Sequence, residues 1–205
     1  MNYHHITENV IGCYDFLPNK KVDDIYTDIL NNRSKFNVPN WGSEKNENVS
    51  ELYSSKCGGL DYWIGWKEKV ENNKNIQSLN EWFLHQGLLR FTRDKGVFEL
   101  LQRNLDGDMH IISYNNGGYY NWHYDKMAGN IFTFNLVLHR GDSLQGGDML
   151  FMDNDRIVRV ENKNNLMVLF PSYVPHSITP LYSNDSKDVP FMEQRFSIQT
   201  WLRLT

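Results

Sequence analysis

The second half of this 205-residue chain alternates between short apolar runs and turn residues. Beyond Asp108, eight runs rich in β-branched and aromatic residues are separated by Gly, Asn and Asp. They span residues 109–114, 120–125, 131–139, 148–152, 156–160, 166–170, 177–181 and 194–204. Short strands that succeed one another without intervening helices favour antiparallel sheets folded face to face, as in a double-sheet jelly roll. The pair Gly146-Gly147 precedes the fourth run, where small residues permit a tight turn.

The beginning of the chain has a different pattern. Residues 3–17 mix β-branched and aromatic residues and predict a strand or extended arm. Val22, Ile25 and Ile29 then recur at helical spacing, which predicts an amphipathic helix over residues 19–31 packed on the sheet.

Two further helices are predicted before the strands begin. Ser78-Leu79-Asn80-Glu81 has the capping-box signature and predicts a helix through residue 91, with His85 as a surface or packing residue within it. A second helix is predicted over residues 97–105. The expected fold class is therefore α+β, with a double-stranded β-helix (jelly-roll) core braced by N-terminal helices.

Length and composition favour one domain over residues 1–205. We expect residues 1–107 to be mostly helical support with an irregular, Asn- and Ser-rich segment, and residues 108–205 to form the jelly-roll core. Large aromatic residues punctuate the irregular segment and the residues after it, and packing is the favoured role for them over a substrate groove. They are Trp41, Tyr53, Tyr62, Trp63 and Trp66.

Charge and hydropathy exclude some classes of protein. The net charge of −4 argues against a general nucleic-acid binder. No signal-peptide pattern and no long apolar run is present, so we expect a cytoplasmic protein without a membrane span. Cys13 and Cys57 form neither a disulfide framework nor a CxxC pair and are expected to be ordinary thiols. The oligomeric state stays open.

The stretch over residues 113–125 sets His123 and Asp125 two positions apart, after a glycine pair. In a strand, residues i and i+2 face the same way, so the two side chains can bind one ion. The pattern alone is weak, because a chain of this composition contains about one His-x-acid triplet by chance.

Later residues strengthen the pattern. His176 comes after an apolar run, on a strand expected to lie across the barrel, and Arg195 and Ser197 share one face of the last strand. Two histidines and one carboxylate leave three positions open on an octahedral ion, as in non-haem Fe(II) oxygenases. A guanidinium with a neighbouring hydroxyl suits an anionic ligand.

The ordered set of His-x-Asp, a His 53 positions later and then Arg-x-Ser resembles the 2-oxoglutarate/Fe(II)-dependent dioxygenase superfamily. The similarity covers about residues 108–204 and is greatest to the prolyl-4-hydroxylase-like branch. The resemblance implies catalytic iron ligands, co-substrate contacts and substrate contacts. The iron ligands would be His123, Asp125 and His176. The co-substrate contacts would be Arg195, Ser197 and Tyr114, and the substrate contacts would be Tyr120 and Trp201. His110 and His139 have no motif partner and are expected to be structural.

The chain also departs from the branch it resembles. Leu136 or Val137 stands where some prolyl hydroxylases have a second co-substrate tyrosine. The interval of 19 positions between His176 and Arg195 is longer than usual, and we predict that residues 182–193 form a mobile loop over the site.

The activity implied by the resemblance is hydroxylation of an unactivated C–H bond, with release of succinate and CO2. Fe(II), 2-oxoglutarate and O2 are the implied cofactors, with ascorbate as a further candidate. A prolyl residue of a peptide or protein leads the substrate candidates, with a small molecule second. A nucleic-acid demethylase of the superfamily would show Arg-x5-Arg, but Trp201 stands at the second position. The alternative from another class is a non-catalytic, metal-containing jelly-roll binding module for a sugar or acidic ligand.

Overall fold

The computed structural model describes residues 1–37, 59–64, 73–103, 105–126, 129–141, 144–184 and 188–205. Its strands are β1 (Asn2–His5), β2 (Ile11–Tyr14), β3 (Gly59–Ile64), β4 (Leu105–Tyr114), β5 (Tyr120–His123), β6 (Phe132–Leu138), β7 (Leu144–Gly146), β8 (Met149–Asp153), β9 (Arg156–Val160), β10 (Leu166–Pro171), β11 (His176–Ile178), β12 (Leu181–Ser183) and β13 (Arg195–Leu204). Its helices are α1 (Asn19–Asn31), α2 (Lys74–Gln77), α3 (Leu79–Phe83) and α4 (Gln86–Phe91).

The strands form two facing sheets, as the sequence predicts. The larger sheet has the order β1-β2-β10-β6-β13-β4-β3, and the smaller has the order β5-β11-β8-β9. A short pair, β12-β7, lies apart from both. All of the strand pairs are antiparallel. This is the predicted α+β jelly-roll arrangement.

The alternation of side chains along β13 gives the larger sheet two different faces. Phe196, Ile198 and Leu202 belong to the apolar cluster that also contains buried residues of the helices. The residues between them, Arg195 and Ser197 among them, belong to the opposite face, which we call the inner face because it looks toward the smaller sheet. The polar side chains of interest are therefore enclosed between the sheets.

The run over residues 156–160 is found as predicted, and the run over residues 177–181 is divided between β11 and β12. The other predicted strands are found with shifted ends. The sequence pattern does not predict β3 and β7. The expected division at residue 107 is too sharp, because β1, β2 and β3 all belong to the larger sheet and β4 already begins at Leu105. The first part of the chain thus contributes strands as well as support.

The helix over residues 19–31 is confirmed as α1, but the helix predicted through residue 91 is wrong. It is divided into α3 and α4, and Ser78 makes no side-chain cap. His85 lies between the two helices, where its Nδ1 accepts from the Gly87 backbone N–H at 3.0 Å. Such a local side-chain bond competes with the helical ladder and caps a new helix instead.

The helix predicted over residues 97–105 is also wrong. A 3-10 helix over Gly96–Gln102 replaces it, and Leu105 already pairs with Leu204 at the start of the ladder between β4 and β13. Ten-residue pairing with β13 outweighs a modest helical propensity.

Several predictions about individual residues have different outcomes. Tyr62 is buried in the helix-side cluster, as packing predicts, whereas Trp63 is half exposed on β3. Trp41, Tyr53, Trp66 and Cys57 lie outside the described residues. Within the described ranges no helix is long and apolar enough to cross a membrane.

Candidate functional site

The structure brings His123, Asp125 and His176 together at one end of the smaller sheet. His123 ends β5, and His176 opens β11 directly opposite it in the ladder. Asp125 lies just after β5, and its backbone N–H donates to the Ser172 carbonyl at 2.9 Å. One ligand atom from each of the three residues lies within 4.8 Å of the others. The expectation that His176 lies across the barrel is wrong, because its strand is the hydrogen-bonded neighbour of β5.

Backbone contacts fix which ring nitrogen of each histidine faces the cluster. Nδ1 of His123 lies 2.7 Å from the Asn121 carbonyl, and Nδ1 of His176 lies 3.0 Å from the Val174 carbonyl. A carbonyl only accepts, so Nδ1 carries a proton in both rings and Nε2 is the nitrogen that faces the cluster. Both Nε2 atoms are buried without a hydrogen-bond partner among the described residues.

The charges of the cluster suit metal binding. Burial, assisted by His176, lowers the pKa of His123 to about 4, so this ring is neutral at neutral pH. Burial opposes ionisation of Asp125, but His176, His123 and the Trp201 indole together hold the pKa of that carboxyl below its usual range. The cluster therefore presents a carboxylate and a neutral imidazole to a cation.

Thr133, on the inner face of β6, orients the carboxylate. Its hydroxyl donates to Oδ2 of Asp125 at 2.9 Å and lies 3.1 Å from the hydroxyl of Ser172. Oδ1 of Asp125 points toward His123, at 3.6 Å from Nε2. Sequence reasoning missed Thr133, because its contact with Asp125 joins a strand of the larger sheet to the residues just after β5 of the smaller sheet and follows from no local pattern. Such outer contacts orient metal ligands in proteins.

The donor set fits a divalent transition metal. Two imidazole nitrogens and one carboxylate oxygen converge on one point. These are the ligand types of 2-His-1-carboxylate iron sites. The rings of Phe151 and Phe170 pack around His176, at centroid distances of 6.0 and 4.6 Å. Tyr120 stacks on His123 at 3.7 Å.

Arg195 lies fully buried on the inner face, and hydrogen bonds fix its guanidinium. Nε donates to Oδ1 of Asn162 at 3.1 Å, and Nη1 donates to the hydroxyl of Ser197 at 2.8 Å. The ring of Tyr114, the cross-strand partner of Arg195, lies 5.2 Å from Cζ. Ser197 and Tyr114 are thus in contact with the arginine, as expected of an anion site.

The charge of the Arg195 guanidinium also suits an anionic ligand. Burial lowers the pKa of Arg195 to about 10, against the opposing effects of Tyr114 and Asp148, so the group stays charged at neutral pH. No carboxylate in the described part of the chain forms an ion pair with it. Nη2 is buried without a hydrogen-bond partner in these residues. A buried, unpaired cation calls for an anionic ligand.

A row of inner-face residues connects the metal cluster with Arg195. Gln199 and Asn135 are cross-strand neighbours, and both are buried. Val137 comes next on the inner face, opposite Ser197, whereas Leu136 lies in the helix-side cluster. Of the two candidates for the position of a second co-substrate tyrosine, Val137 is thus the one on the inner face.

Trp201 is partly buried at the metal end of this row. It packs against Trp63 at 5.1 Å and against His110 at 5.4 Å between ring centroids. His110 is buried beside Asp61, with Nε2 3.4 Å from Oδ2. Neither His110 nor His139 joins the metal cluster found among the described residues.

The loop predicted over residues 182–193 is anchored in its second part. Val189 and Phe191 are buried, and the Val189 N–H donates to Oδ1 of Asn115 at 2.7 Å. Tyr182 is exposed, and residues 185–187 lie outside the described ranges. Loop closure over the site stays a prediction.

Comparisons with known proteins agree with this geometry. A family profile described as the 2OG-Fe(II) oxygenase superfamily matches residues 109–203. A comparison with curated proteins found no match. Among solved structures, the chain is similar to a prolyl hydroxylase from Trichoplax adhaerens in complex with a hypoxia inducible factor oxygen degradation domain peptide fragment. That likeness has 18% identity, a TM-score of 0.67 and coverage of 96% of this chain and 84% of that one.

Two bacterial structures show the same similarity. A prolyl-4-hydroxylase from Pseudomonas putida has 20% identity and a TM-score of 0.62, over 97% of this chain and 94% of that one. An oxidoreductase of the 2OG-Fe(II) oxygenase family from Burkholderia pseudomallei has 10% identity and a TM-score of 0.62, over 95% and 84%. The matched region 109–203 contains the whole metal cluster and Arg195. Residues 109–203 thus match the 2OG-Fe(II) oxygenase superfamily, and the chain has the fold of the prolyl hydroxylases.

Proposed function

We propose that this protein is an Fe(II)- and 2-oxoglutarate-dependent dioxygenase that hydroxylates an unactivated C–H bond. Two buried features of the same fold carry the proposal: the cluster of His123, Asp125 and His176, and the guanidinium of Arg195, whose Nη2 has no hydrogen-bond partner among the described residues. When bound, Fe(II) with O2 supplies the oxidation that converts 2-oxoglutarate to succinate and CO2 and inserts one oxygen atom into the substrate.

The role of the metal cluster is to hold Fe(II) by one side. His123 and His176 would each contribute Nε2, and Asp125 would contribute a carboxylate oxygen. Three protein ligands on one face of an octahedral ion leave the remaining positions for co-substrate and O2. Because the carbonyl contacts of both Nδ1 atoms already fix the rings, the site needs little rearrangement to accept the ion.

The role of Arg195 is to bind the distal carboxylate of 2-oxoglutarate. A charge-assisted hydrogen bond to a buried guanidinium is stronger than the same bond in water, because the surroundings have a low dielectric constant. Ser197 holds one terminal nitrogen, and Tyr114 lies against the guanidinium. These three residues would orient the co-substrate so that its 2-oxo acid end reaches the metal cluster.

We further propose a prolyl residue of a peptide or protein as the substrate. The peptide bound to the Trichoplax prolyl hydroxylase supports a peptide over a free small molecule. Tyr120 and Trp201, both partly buried next to the metal cluster, are the proposed substrate contacts. Ascorbate remains a candidate reductant that keeps the iron ferrous between turnovers.

An anaerobic titration tests the co-substrate half of the proposal. The protein is loaded with Fe(II) under nitrogen and titrated with 2-oxoglutarate, and the visible absorption of the chelate is monitored. We expect an absorption that saturates with 2-oxoglutarate. We then expect succinate to form when O2 and a proline-containing peptide library are added. Metal binding with neither chelate nor succinate would instead favour the metal-containing binding module.

Mass spectrometry of the same peptide reactions tests the substrate. A gain of one oxygen atom on a prolyl residue is the expected product. If succinate forms but no peptide is modified, the dioxygenase activity stands and the prolyl substrate is wrong.

A further inference from the structure

The guanidinium of Arg195 has two edges on which a carboxylate can form paired hydrogen bonds. One edge consists of Nε and Nη2, and the other consists of Nη1 and Nη2. Oδ1 of Asn162 already accepts from Nε, which closes the first edge. On the second edge Nη2 has no hydrogen-bond partner among the described residues, and Nη1 has a second hydrogen beyond the one given to Ser197. The arrangement therefore favours the terminal edge for a ligand.

Asn162 is itself held in place. It lies just after β9, and its backbone N–H donates to Oδ1 of Asp148 at 2.8 Å. Asp148 is buried, and its other carboxylate oxygen accepts from Nε of Arg159 at 2.9 Å. Through these contacts the segment after β9 is fixed to the residue that precedes β8.

Gly147 provides the space in which these side chains meet. Its φ of +70° favours glycine, and a Cβ there would lie 3.0 Å from Cδ of Arg195 and 3.1 Å from Nδ2 of Asn162. The sequence pattern predicts only a turn at this glycine. In the structure it also allows Arg195 and Asn162 to approach each other.

We propose that Asn162 is a positioning residue for 2-oxoglutarate: it fixes the rotation of the Arg195 guanidinium and directs the distal carboxylate to the Nη1–Nη2 edge. The proposal rests on the proposed function. A neutral amide suits this role, because it accepts the Nε hydrogen bond without cancelling the positive charge that attracts the co-substrate. An aspartate at the same position would form an ion pair with Arg195 and compete with the ligand.

The test measures binding by anaerobic titration of the Fe(II)-loaded protein with two ligands. One is 2-oxoglutarate, and the other is 2-oxopentanoate, which has the same 2-oxo acid end but no distal carboxylate. For Asn162→Ala, we expect the Kd for 2-oxoglutarate to rise about tenfold, as loss of one charge-assisted contact implies, and the Kd for 2-oxopentanoate to stay unchanged. Asn162→Asp, which keeps the shape, should weaken 2-oxoglutarate binding at least as much.

Two controls separate positioning from a general structural effect. Asn164→Ala removes the same residue type from the same segment, where Oδ1 of Asn164 accepts from the His139 N–H, and it should leave both Kd values unchanged. In an Arg195→Ala background, Asn162→Ala should have no further effect on 2-oxoglutarate binding, because Asn162 acts through the arginine.

The outcomes can be told apart. If the unmodified protein does not bind 2-oxoglutarate, the proposed function fails. If it binds but Asn162→Ala binds equally well, or loses both ligands equally, the positioning role of Asn162 is overturned and the proposed function is untouched. Should Asn162→Ala not fold, Asn162→Ser retains a shorter acceptor and is expected to show a smaller loss, still confined to 2-oxoglutarate.

Discussion

The two faces of the larger sheet are made by the same strands, but only the inner face combines apolar residues with buried amide side chains. On the helix side, Phe134, Phe196 and Ile198 pack into one apolar cluster with the helices. On the inner face, Asn135 and Gln199 are equally buried, yet each has an amide oxygen without a hydrogen-bond partner among the described residues. Unsatisfied buried polar atoms are rare in proteins and cost stability.

This difference indicates that alternate residues of one strand serve either the stability of the fold or the binding of ligands. Apolar contacts stabilise the fold on the helix side, whereas the inner face adds to its apolar contacts polar atoms that are ready for ligands at the cost of internal hydrogen bonds. Substitutions on the two faces should therefore separate the free energy of unfolding from ligand binding.

The largest effect is expected at the metal cluster. His123→Ala, Asp125→Ala and His176→Ala should each abolish iron-dependent turnover, because each removes one of three ligands. Each variant should still fold, since these residues lie at strand ends outside the helix-side cluster. Metal content and thermal unfolding are measured together. A variant with full iron content and full activity would show that its residue is not a ligand.

A large effect on stability alone is expected on the helix side. Ile198 is fully buried, so Ile198→Ala should reduce the free energy of unfolding by about 2–5 kcal/mol. The folded variant should bind iron with unchanged affinity. Urea denaturation measures the loss, and Ile157→Ala, at a position 63% exposed on β9, is the matched control with an expected change within about 0.5 kcal/mol. Reduced iron affinity in Ile198→Ala would mean that the faces are not independent.

An intermediate effect on binding is expected at the arginine. Arg195→Ala should weaken 2-oxoglutarate binding about ten- to a hundredfold, because a charge-assisted bond contributes about 1.5–3 kcal/mol. Iron affinity should hardly change. Arg195→Lys should rescue only part of the binding, since lysine offers a point charge without the planar fork. Titration under nitrogen measures the affinities, and unchanged 2-oxoglutarate affinity in Arg195→Ala would place the co-substrate elsewhere.

The smallest effect is expected at Thr133, which touches the metal cluster only through Asp125. Thr133→Val keeps the shape but removes the hydrogen bond to Oδ2, and metal affinity should fall about tenfold, as it does when other outer-shell partners are lost. Competition with a chelator measures the affinity. Thr200→Val serves as the control, because Thr200 is a buried threonine of β13 that lies on the helix side of the sheet. This variant should retain full metal affinity. Equal affinities in the two variants would contradict a role for Thr133.

Features that depend on local periodicity can be read from the amino-acid sequence. Alternation in a strand places Arg195 beside Ser197, whatever the rest of the fold does, whereas β5 ends at His123 and Asp125 lies beyond the strand. The helical spacing along residues 22–29 likewise predicts α1, because an amphipathic face needs only its own residues to be recognised. The order of the site residues along the chain is informative for another reason, since it resembles that of the 2-oxoglutarate/Fe(II)-dependent dioxygenases.

The distant residues that complete the site are set by tertiary contacts. Asn162 contacts Arg195 from 33 positions away, and Thr133 reaches Asp125 from a strand of the other sheet. Neither belongs to a local pattern, so no spacing could reveal it. The break at His85 and the early start of β4 also depend on contacts that compete with helix formation. Local periodicity fixes the direction of a side chain within its own element, but its partner is set by the closure of the sheets, which brings together residues remote in sequence.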